Sequence, residues 1–323
     1  MGPATAAMAL RLLLRPTFGM AAALSVAAMP SRAEEPPTLP SELEACRAIF
    51  EPIGAPDGTD GADTHTYVFA NGSNPTPPVP TAIHRCHAAA FALRLNGITR
   101  DPDWVAEDIT PDEVQSGAER SNSFFVAPDE ALYSATLADY RSSGFDRGHQ
   151  APAGDFSGDQ TKQDASFVLS NIGPQVGRCF NQGIWRELET AVRDLVTTRK
   201  RLIVFTGPIF EGPLRTLEDV KRARNPVQPL VPARETTSSD DNQPPGSAAI
   251  PDAFFKIVFD PQRGRAMAFR FPNAALCKRA HEDAEFRTTI DAIEEVTGFN
   301  FLPGLSHREQ SLLEDATSPF WTW

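Results

Sequence analysis

Apolar positions along the chain follow two periods, and the switch between them outlines the elements. Short runs of aromatic and β-branched residues at 91–95, 104–106, 202–206, 254–259 and 266–271 read as strands that feed one central sheet. The run at 202–206 turns at Gly207 and Pro208. Between these runs the period lengthens. From Asn181 onward Ile184, Trp185, Leu188, Val192 and Leu195 recur at helical spacing, so a helix opens at Asn181 with Asn181, Trp185, Glu189 and Arg193 stepping along one side of it. Residues 131–141 and 280–296 also carry helical spacing. Residues 146–149 form a short strand, 155–164 a polar loop, and 167–169 a buried strand that ends at Ser170 and Asn171.

Outside these elements the pattern fades in four places. The first 33 residues contain Arg11, Arg15 and Arg32 and no acid, with an apolar stretch too short to span a bilayer comfortably and a small-residue site at Ser31-Arg32-Ala33. They read as a cleaved signal peptide, which places the protein in the periplasm or outside the cell; an organellar, mitochondrial transit peptide is the alternative. Residues 34–80, rich in Pro, Gly, Asp and Thr, read as a loop-rich amino-terminal segment, 81–305 as the main domain, and about 235–250 as a disordered insertion in it. Residues 306–323 form a carboxy-terminal tail ending in Phe320-Trp321-Thr322-Trp323. That ending resembles the terminal aromatic of outer-membrane barrels, but the rest of the chain lacks their alternating segments. With the leader removed, no membrane contact is expected.

The 323 residues carry 30 Lys plus Arg against 42 Asp plus Glu, a net charge of −12, and loss of the leader removes three further positive charges. Such a balance argues against a protein that coats nucleic acid, because affinity for a polyanion comes from cations that neutralise phosphates. It leaves room for an enzyme with a local positive cleft. The four cysteines, Cys46, Cys86, Cys179 and Cys277, behind a secretory leader read as two disulfides. Three pairings are open; Cys46 with Cys86 and Cys179 with Cys277 is preferred, because the first two bracket the amino-terminal segment and the others lie in the body. A zinc site of His65, His84, Cys86 and His87 is the rival, and the His-x-Cys-His spacing suits it poorly.

The densest chemistry lies at Asp146-Arg147-Gly148-His149. A neutral imidazole is the side chain best placed to take a proton from water near neutral pH, which makes His149 a candidate general base. In an extended strand Arg147 points to the same face, so the two can flank one phosphate. Gly148 between them leaves space for a substrate backbone.

Together with Leu169-Ser170-Asn171-Ile172-Gly173-Pro174-Gln175, the segment from Asn181 to Glu189, Phe205-Thr206-Gly207-Pro208 and Pro251-Asp252-Ala253-Phe254-Phe255-Lys256, this stretch resembles, in order, the DNA/RNA non-specific endonucleases. These are ββα-metal nucleases, the group of bacterial sugar-non-specific nucleases and endonuclease G. The resemblance implies an α+β domain with a central antiparallel sheet flanked by helices and a ββα-metal finger as active site. It implies hydrolysis of DNA and RNA phosphodiesters with little sequence preference. His149 would be the base and Asn181 the single protein ligand of a magnesium ion, with manganese as the alternative. Glu189 would orient metal-bound water. Arg147, Arg120 and Arg193 would face the phosphate, with Asn171 beside them. DNA and RNA are the expected partners, and a homodimer is compatible with the family. The competing reading is a non-catalytic nucleic-acid-binding or interaction protein on a decayed nuclease fold.

Overall fold

The computed structural model describes residues 38–58, 67–72, 78, 80–224, 247–319 and 321, all within one unit spanning 36–323. The leader expected at 1–33 lies outside them. In the amino-terminal segment Ser41–Cys46 and α1 (Arg47–Phe50) form a helical stretch, followed by β1 (Asp57–Gly58). Three antiparallel strands come next, β2 (Ala82–His87), β3 (Phe91–Asn96) and β4 (Pro102–Ile109). After α2 (Leu137–Tyr140) the hairpin strand β5 (Asp146–His149) is followed by α3 (Gln160–Ala165) and by its partner β6 (Ile172–Gln175). An irregular turn, Gly177–Trp185, leads into α4 (Arg186–Arg199), then β7 (Leu202–Ile209) and α5 (Leu217–Arg224). The chain closes with β8 (Ala253–Asp260), β9 (Arg265–Pro272), β10 (Arg287–Thr288), α6 (Ile290–Thr297), β11 (Phe299–Asn300) and α7 (His307–Glu314).

Seven strands make the main sheet in the order β10-β9-β8-β7-β4-β3-β2, every pairing antiparallel, as the α+β expectation requires. Its central strands are covered on both sides. Ile203, Phe205, Phe255, Ile257 and Ala268 face a core shared with Ile49 and Phe50 of α1 and Ile290 and Ile293 of α6. Val204, Phe254, Val258, Met267 and Phe269 alternate with them and face Leu188, Val192 and Leu195 of α4. Burial on two faces explains why 254–259 reads as an almost unbroken apolar run rather than an alternating one. Each fully buried Phe or Leu contributes roughly 1.5–3 kcal/mol relative to exposure.

The structure departs from the expected elements where caps and local pairing override periodicity. Residues 131–141 contain only the four-residue α2, restarted by a capping box of Thr136 with Asp139. The expected helix at 280–296 begins at Ile290, capped by Thr289, because Arg287 and Thr288 pair with β9 instead. The polar loop at 155–164 is largely helical turns, and 167–169 makes one bridge and a 3-10 turn, the finger strand starting only at Ile172. Residues 235–246 of the expected insertion lie outside the described residues, but its end is part of the core: Ala248 and Ala249 are buried, and Leu217 donates its amide to the Ala248 carbonyl. The tail is also folded, with α7 opened by a Ser306 and Glu309 capping box and Trp321 buried under α4, the Arg199 guanidinium 5.1 Å from its ring.

Cys46–Cys86 and Cys179–Cys277 are both disulfides, with Cα separations of 5.7 and 4.8 Å. The first ties Ser41–Cys46 to edge strand β2, and takes Cys86 out of any zinc site. The second ties the turn before α4 to the loop after β9.

Candidate active site

Strands β5 and β6 form a two-stranded hairpin set beside the main sheet, with Gly148 opposite Gly173 and His149 opposite Ile172. A Cβ on Gly148 would lie 2.1 Å from Cδ of Gln175, whose side chain is buried across the strand. The space expected for a substrate backbone is thus filled by Gln175, and the glycine serves the packing of the hairpin. A second close approach is at Gly177, where a Cβ would meet the Asp146 carboxylate at 2.7 Å.

Asn171 holds the end of β5 in place. Its Oδ1 accepts from the Ala151 amide at 2.9 Å, and its Nδ2 donates to the carbonyls of Ala151 and Ser166, both at 2.8 Å. Asn171 is fully buried, so the expected contact with substrate is replaced by a backbone clamp two residues beyond His149. Asn171→Ala strands one buried amide and two buried carbonyls. We expect it to lower unfolding stability by about 2–4 kcal/mol in urea titration; a change below about 1 kcal/mol would contradict the clamp.

Two phenylalanine rings carry the charged face of the site. His149, 8% exposed, lies 5.4 Å from the Phe124 ring and 5.0 Å from the Phe167 ring. The Arg147 guanidinium stacks on Phe124 at 4.2 Å, and that of Arg120 lies 5.1 Å from Phe167. Residues 120 and 147 are thereby gathered around the same imidazole, and neither makes an ion pair among the described residues. Burial first, then the charges of Arg120 and Arg147, lower the His149 pKa to about 3. The imidazole is therefore neutral at physiological pH, and its Nε2 is buried with no hydrogen-bond partner among the described residues.

Asn181 does not open a regular helix. It sits in Gly177–Trp185, where Cys179 (φ 69°) and Gly183 (φ −123°, ψ −114°) break helical geometry, and α4 starts only at Arg186. The four-residue ladder is interrupted as a result: Trp185 points into the core, while Glu189 and Arg193 continue along α4. The Asn181 Nδ2 donates to Oδ2 of Asp146 at 2.9 Å, which assigns the amide orientation and leaves Oδ1 with no donor among the described residues. Gln182 donates to the same carboxylate oxygen at 2.7 Å.

Arg193 is committed elsewhere. Its Nη1 donates to Oδ1 of Asp155 at 2.5 Å, and its Nη2 to Oγ1 of Thr190 at 3.0 Å. Asp155 is buried, as are Glu107 of β4 and Lys256 of β8, the lysine donating to Oγ1 of Thr206 across the β7–β8 pair at 2.6 Å and standing 5.2 Å from the Trp185 ring. Burial and the neighbouring Asp155 push Glu107 well above the usual carboxylate range, with Lys256 opposing. At Asp155 burial also raises the pKa, and Arg193 opposes it most strongly. Burial raises Glu189 to about 7, against the pull of Lys256, Arg193 and Arg120. Of this charged cluster on the α4 side of the sheet, the sequence points to Glu189 and Arg193 and contains Lys256 in a recognised motif without a role, but it does not single out Glu107 or Asp155. A lysine inside an otherwise apolar strand was the available signal; Glu107 and Asp155 offered none.

A β-hairpin running through a turn into a helix, with a histidine on its first strand and an asparagine on the turn, defines the ββα-metal class of nucleases. Comparison with known proteins narrows it. The family model for DNA/RNA non-specific endonuclease matches residues 71–308. Nuclease C1 of Cunninghamella echinulata var. echinulata is 32% identical over 223 residues, which cover 67% of this chain and 81% of that protein. Mitochondrial endonuclease G of Bos taurus is 34% identical over 229 residues, 69% of this chain and 71% of its own. Among solved structures, the crystal structure of an EndoG/EndoGI complex matches with a TM-score of 0.55 at 25% identity, over 70% of this chain and 88% of that one. The chain belongs to the DNA/RNA non-specific endonuclease family.

Proposed function

We propose that the protein is a metal-dependent endonuclease that hydrolyses phosphodiester bonds of DNA and RNA with little sequence preference. The observation that carries this reading is a buried, neutral imidazole whose Nε2 has no partner among the described residues, flanked by two arginines that make no ion pair among them. His149 takes the proton of the attacking water at Nε2. Arg147 and Arg120 balance the charge that gathers on the non-bridging oxygens. Contacts of this kind go to the phosphate backbone, which carries no sequence information.

The residues present fit a magnesium ion. Asn181 offers an amide oxygen with no donor among the described residues, next to the Asp146 carboxylate, hard oxygens of the sort magnesium takes with several waters. Asn181 would hold the ion, with Glu189 orienting its water shell; manganese is the alternative. When bound, the metal supplies Lewis-acid polarisation of the phosphate and stabilises the leaving oxygen. Asp146 fixes the Asn181 amide through the Nδ2 hydrogen bond, and Arg193, held by Asp155, steadies α4 rather than reaching the phosphate.

The bovine relative is mitochondrial by name, which matches the organellar alternative for the leader. Two disulfides set one condition on either address, an oxidising compartment.

Digestion of supercoiled plasmid and total RNA tests the reading. We expect both polymers to be degraded in magnesium, and degradation to stop with chelator and with Asn181→Ala. Folded, disulfide-intact protein that cleaves neither polymer with any divalent metal would favour the non-catalytic binding protein.

A further inference from the structure

On the opposite side of the main sheet from α4, helices α6 and α7 bring acids together. Asp291 and Glu294 sit on α6 and Glu314 ends α7, and one carboxylate oxygen from each lies within 4.8 Å of the others. Clustered acids are common on protein surfaces and mean little alone. Glu314 is different: it is only 6% exposed, and its Oε1 is buried with no hydrogen-bond partner among the described residues. No lysine or arginine pairs with any of the three among the described residues. A buried carboxylate oxygen with neither donor nor cation is costly, and here it belongs to a carboxylate that lies within 4.8 Å of two others.

The upper limit on the separations of the three oxygens, 4.8 Å, can be set against the reach of each cation. Calcium binds oxygen at about 2.3–2.6 Å, so two ligands on opposite sides lie at most roughly 4.6–5.2 Å apart. Magnesium binds at about 2.0–2.1 Å, which limits opposite ligands to roughly 4.2 Å. Separations of up to 4.8 Å fall inside the calcium limit, whereas any pair wider than about 4.2 Å would have to close up around magnesium. We propose that Asp291, Glu294 and Glu314 form a structural site for a calcium-sized divalent cation that ties α7 to α6.

The electrostatics agree with the geometry. Burial raises Glu314 to about 8 and Glu294 to about 7, in each case with help from neighbouring acids, and a hydrogen bond shared with Asp315 heads the causes that raise Asp291 to about 6. Without a cation, the cluster holds protons that a cation would displace. The clamp would act on structure rather than on the reaction. Ile290 and Ile293 of α6 pack on the sheet face that carries Phe205 and Phe255, and Phe299–Asn300 after it pairs with Asp57–Gly58, so the site would brace the carboxy-terminal segment against the amino-terminal one.

The test uses the full chain with Asn181→Ala, so that metal bound at the candidate active site does not contribute and the outcome is independent of the proposed nuclease mechanism. Calorimetric titration of metal-free protein with calcium chloride is expected to show one equivalent bound with proton release, together with a rise in Tm, and magnesium is expected to bind at least tenfold more weakly. Adding Glu314→Gln should abolish the calcium-induced rise while raising the Tm of the metal-free protein, because an unpartnered buried carboxyl is removed. Glu294→Gln, on a less buried residue, should weaken calcium binding at least tenfold and serves where Glu314→Gln folds poorly. In the otherwise unaltered chain, Glu314→Gln should leave polymer cleavage in magnesium unchanged. Absence of calcium binding by the Asn181→Ala protein would overturn the site and leave three acids that share protons. A calcium-induced rise in Tm that survives both substitutions would overturn it as well.

Discussion

His149→Ala is expected to lower cleavage of plasmid DNA about 10²- to 10⁴-fold, the usual cost of losing a general base, while the protein remains folded. The imidazole is held in a slot between Phe124 and Phe167, so alanine leaves a gap. His149→Phe fills that slot without a basic nitrogen and separates loss of the base from loss of packing. Both variants should lose activity to a similar degree at saturating magnesium, with Tm measured alongside. Either variant retaining cleavage within threefold of the parent would sink the assignment. The pH behaviour follows from the same burial. Because the pKa of His149 is lowered to about 3, its protonation does not set an acid limb near 6.5, and cleavage should not show one from this group.

Stability carries the opposite signature. The folded pKa lies below the unfolded value, so as pH falls through about 6.5 the unfolded chain takes up the proton first. The native state thus loses stability between about pH 6.5 and 3, reaching a loss of about 3 kcal/mol by pH 4.5; above about 6.5 this group has no effect. His149→Phe should flatten that part of the stability profile in urea titrations at neutral pH and at about pH 4.5. An unchanged slope would show that the imidazole is better solvated than its 8% exposure suggests.

Lys256→Met is expected to destabilise the protein by about 3–5 kcal/mol, the cost of removing one partner from a buried charged cluster. Methionine matches the length of the lysine stem and can still pack on Trp185, so most of the loss is electrostatic. Lys256 is 1% exposed and stands among Glu107 and Asp155, themselves 1% and 3% exposed. Its charge opposes the rise in pKa at both acids, and without it they are less well compensated. Glu107→Gln in the same protein should recover part of the stability, because it removes one of the two acids. A double-mutant cycle by urea unfolding measures the coupling. A single-variant loss below about 1 kcal/mol, or strictly additive effects, would mean the cluster is more hydrated than its burial indicates.

Much of this architecture was readable along the chain because it rests on local signals. The strands at 91–95, 202–206, 254–259 and 266–271 and the apolar side of α4 emerge as expected, since burial of one or both faces imposes its period on the residues. The hairpin carrying Asp146-Arg147-Gly148-His149 was legible from an ordered set of motifs. The preferred disulfide pairing also stands. Elements that depend on a single capping residue or a two-residue pairing were not legible. Thr136 and Thr289 start helices inside longer periodic stretches, and Arg287–Thr288 joins the sheet edge by backbone pairing that leaves no mark in side-chain pattern.

By itself, then, the sequence determined which residue types stand at the candidate site, and in what order: an imidazole, arginines, an amide and a carboxyl in a motif that chemistry makes distinctive. Only the tertiary structure decided which of them are free to act. The motif puts Asn171 and Arg193 facing substrate, yet the first clamps the backbone of Ala151 and Ser166 and the second is paired with Asp155. Hydrogen-bonding capacity is a property of the residue, whereas its use depends on partners far away in sequence: Asp155 lies 38 residues from Arg193, and Thr206 lies 50 from Lys256. The same reason explains why His149 stands out from its neighbours as a candidate base, while its neutral state required the rings of Phe124 and Phe167 that the fold places around it.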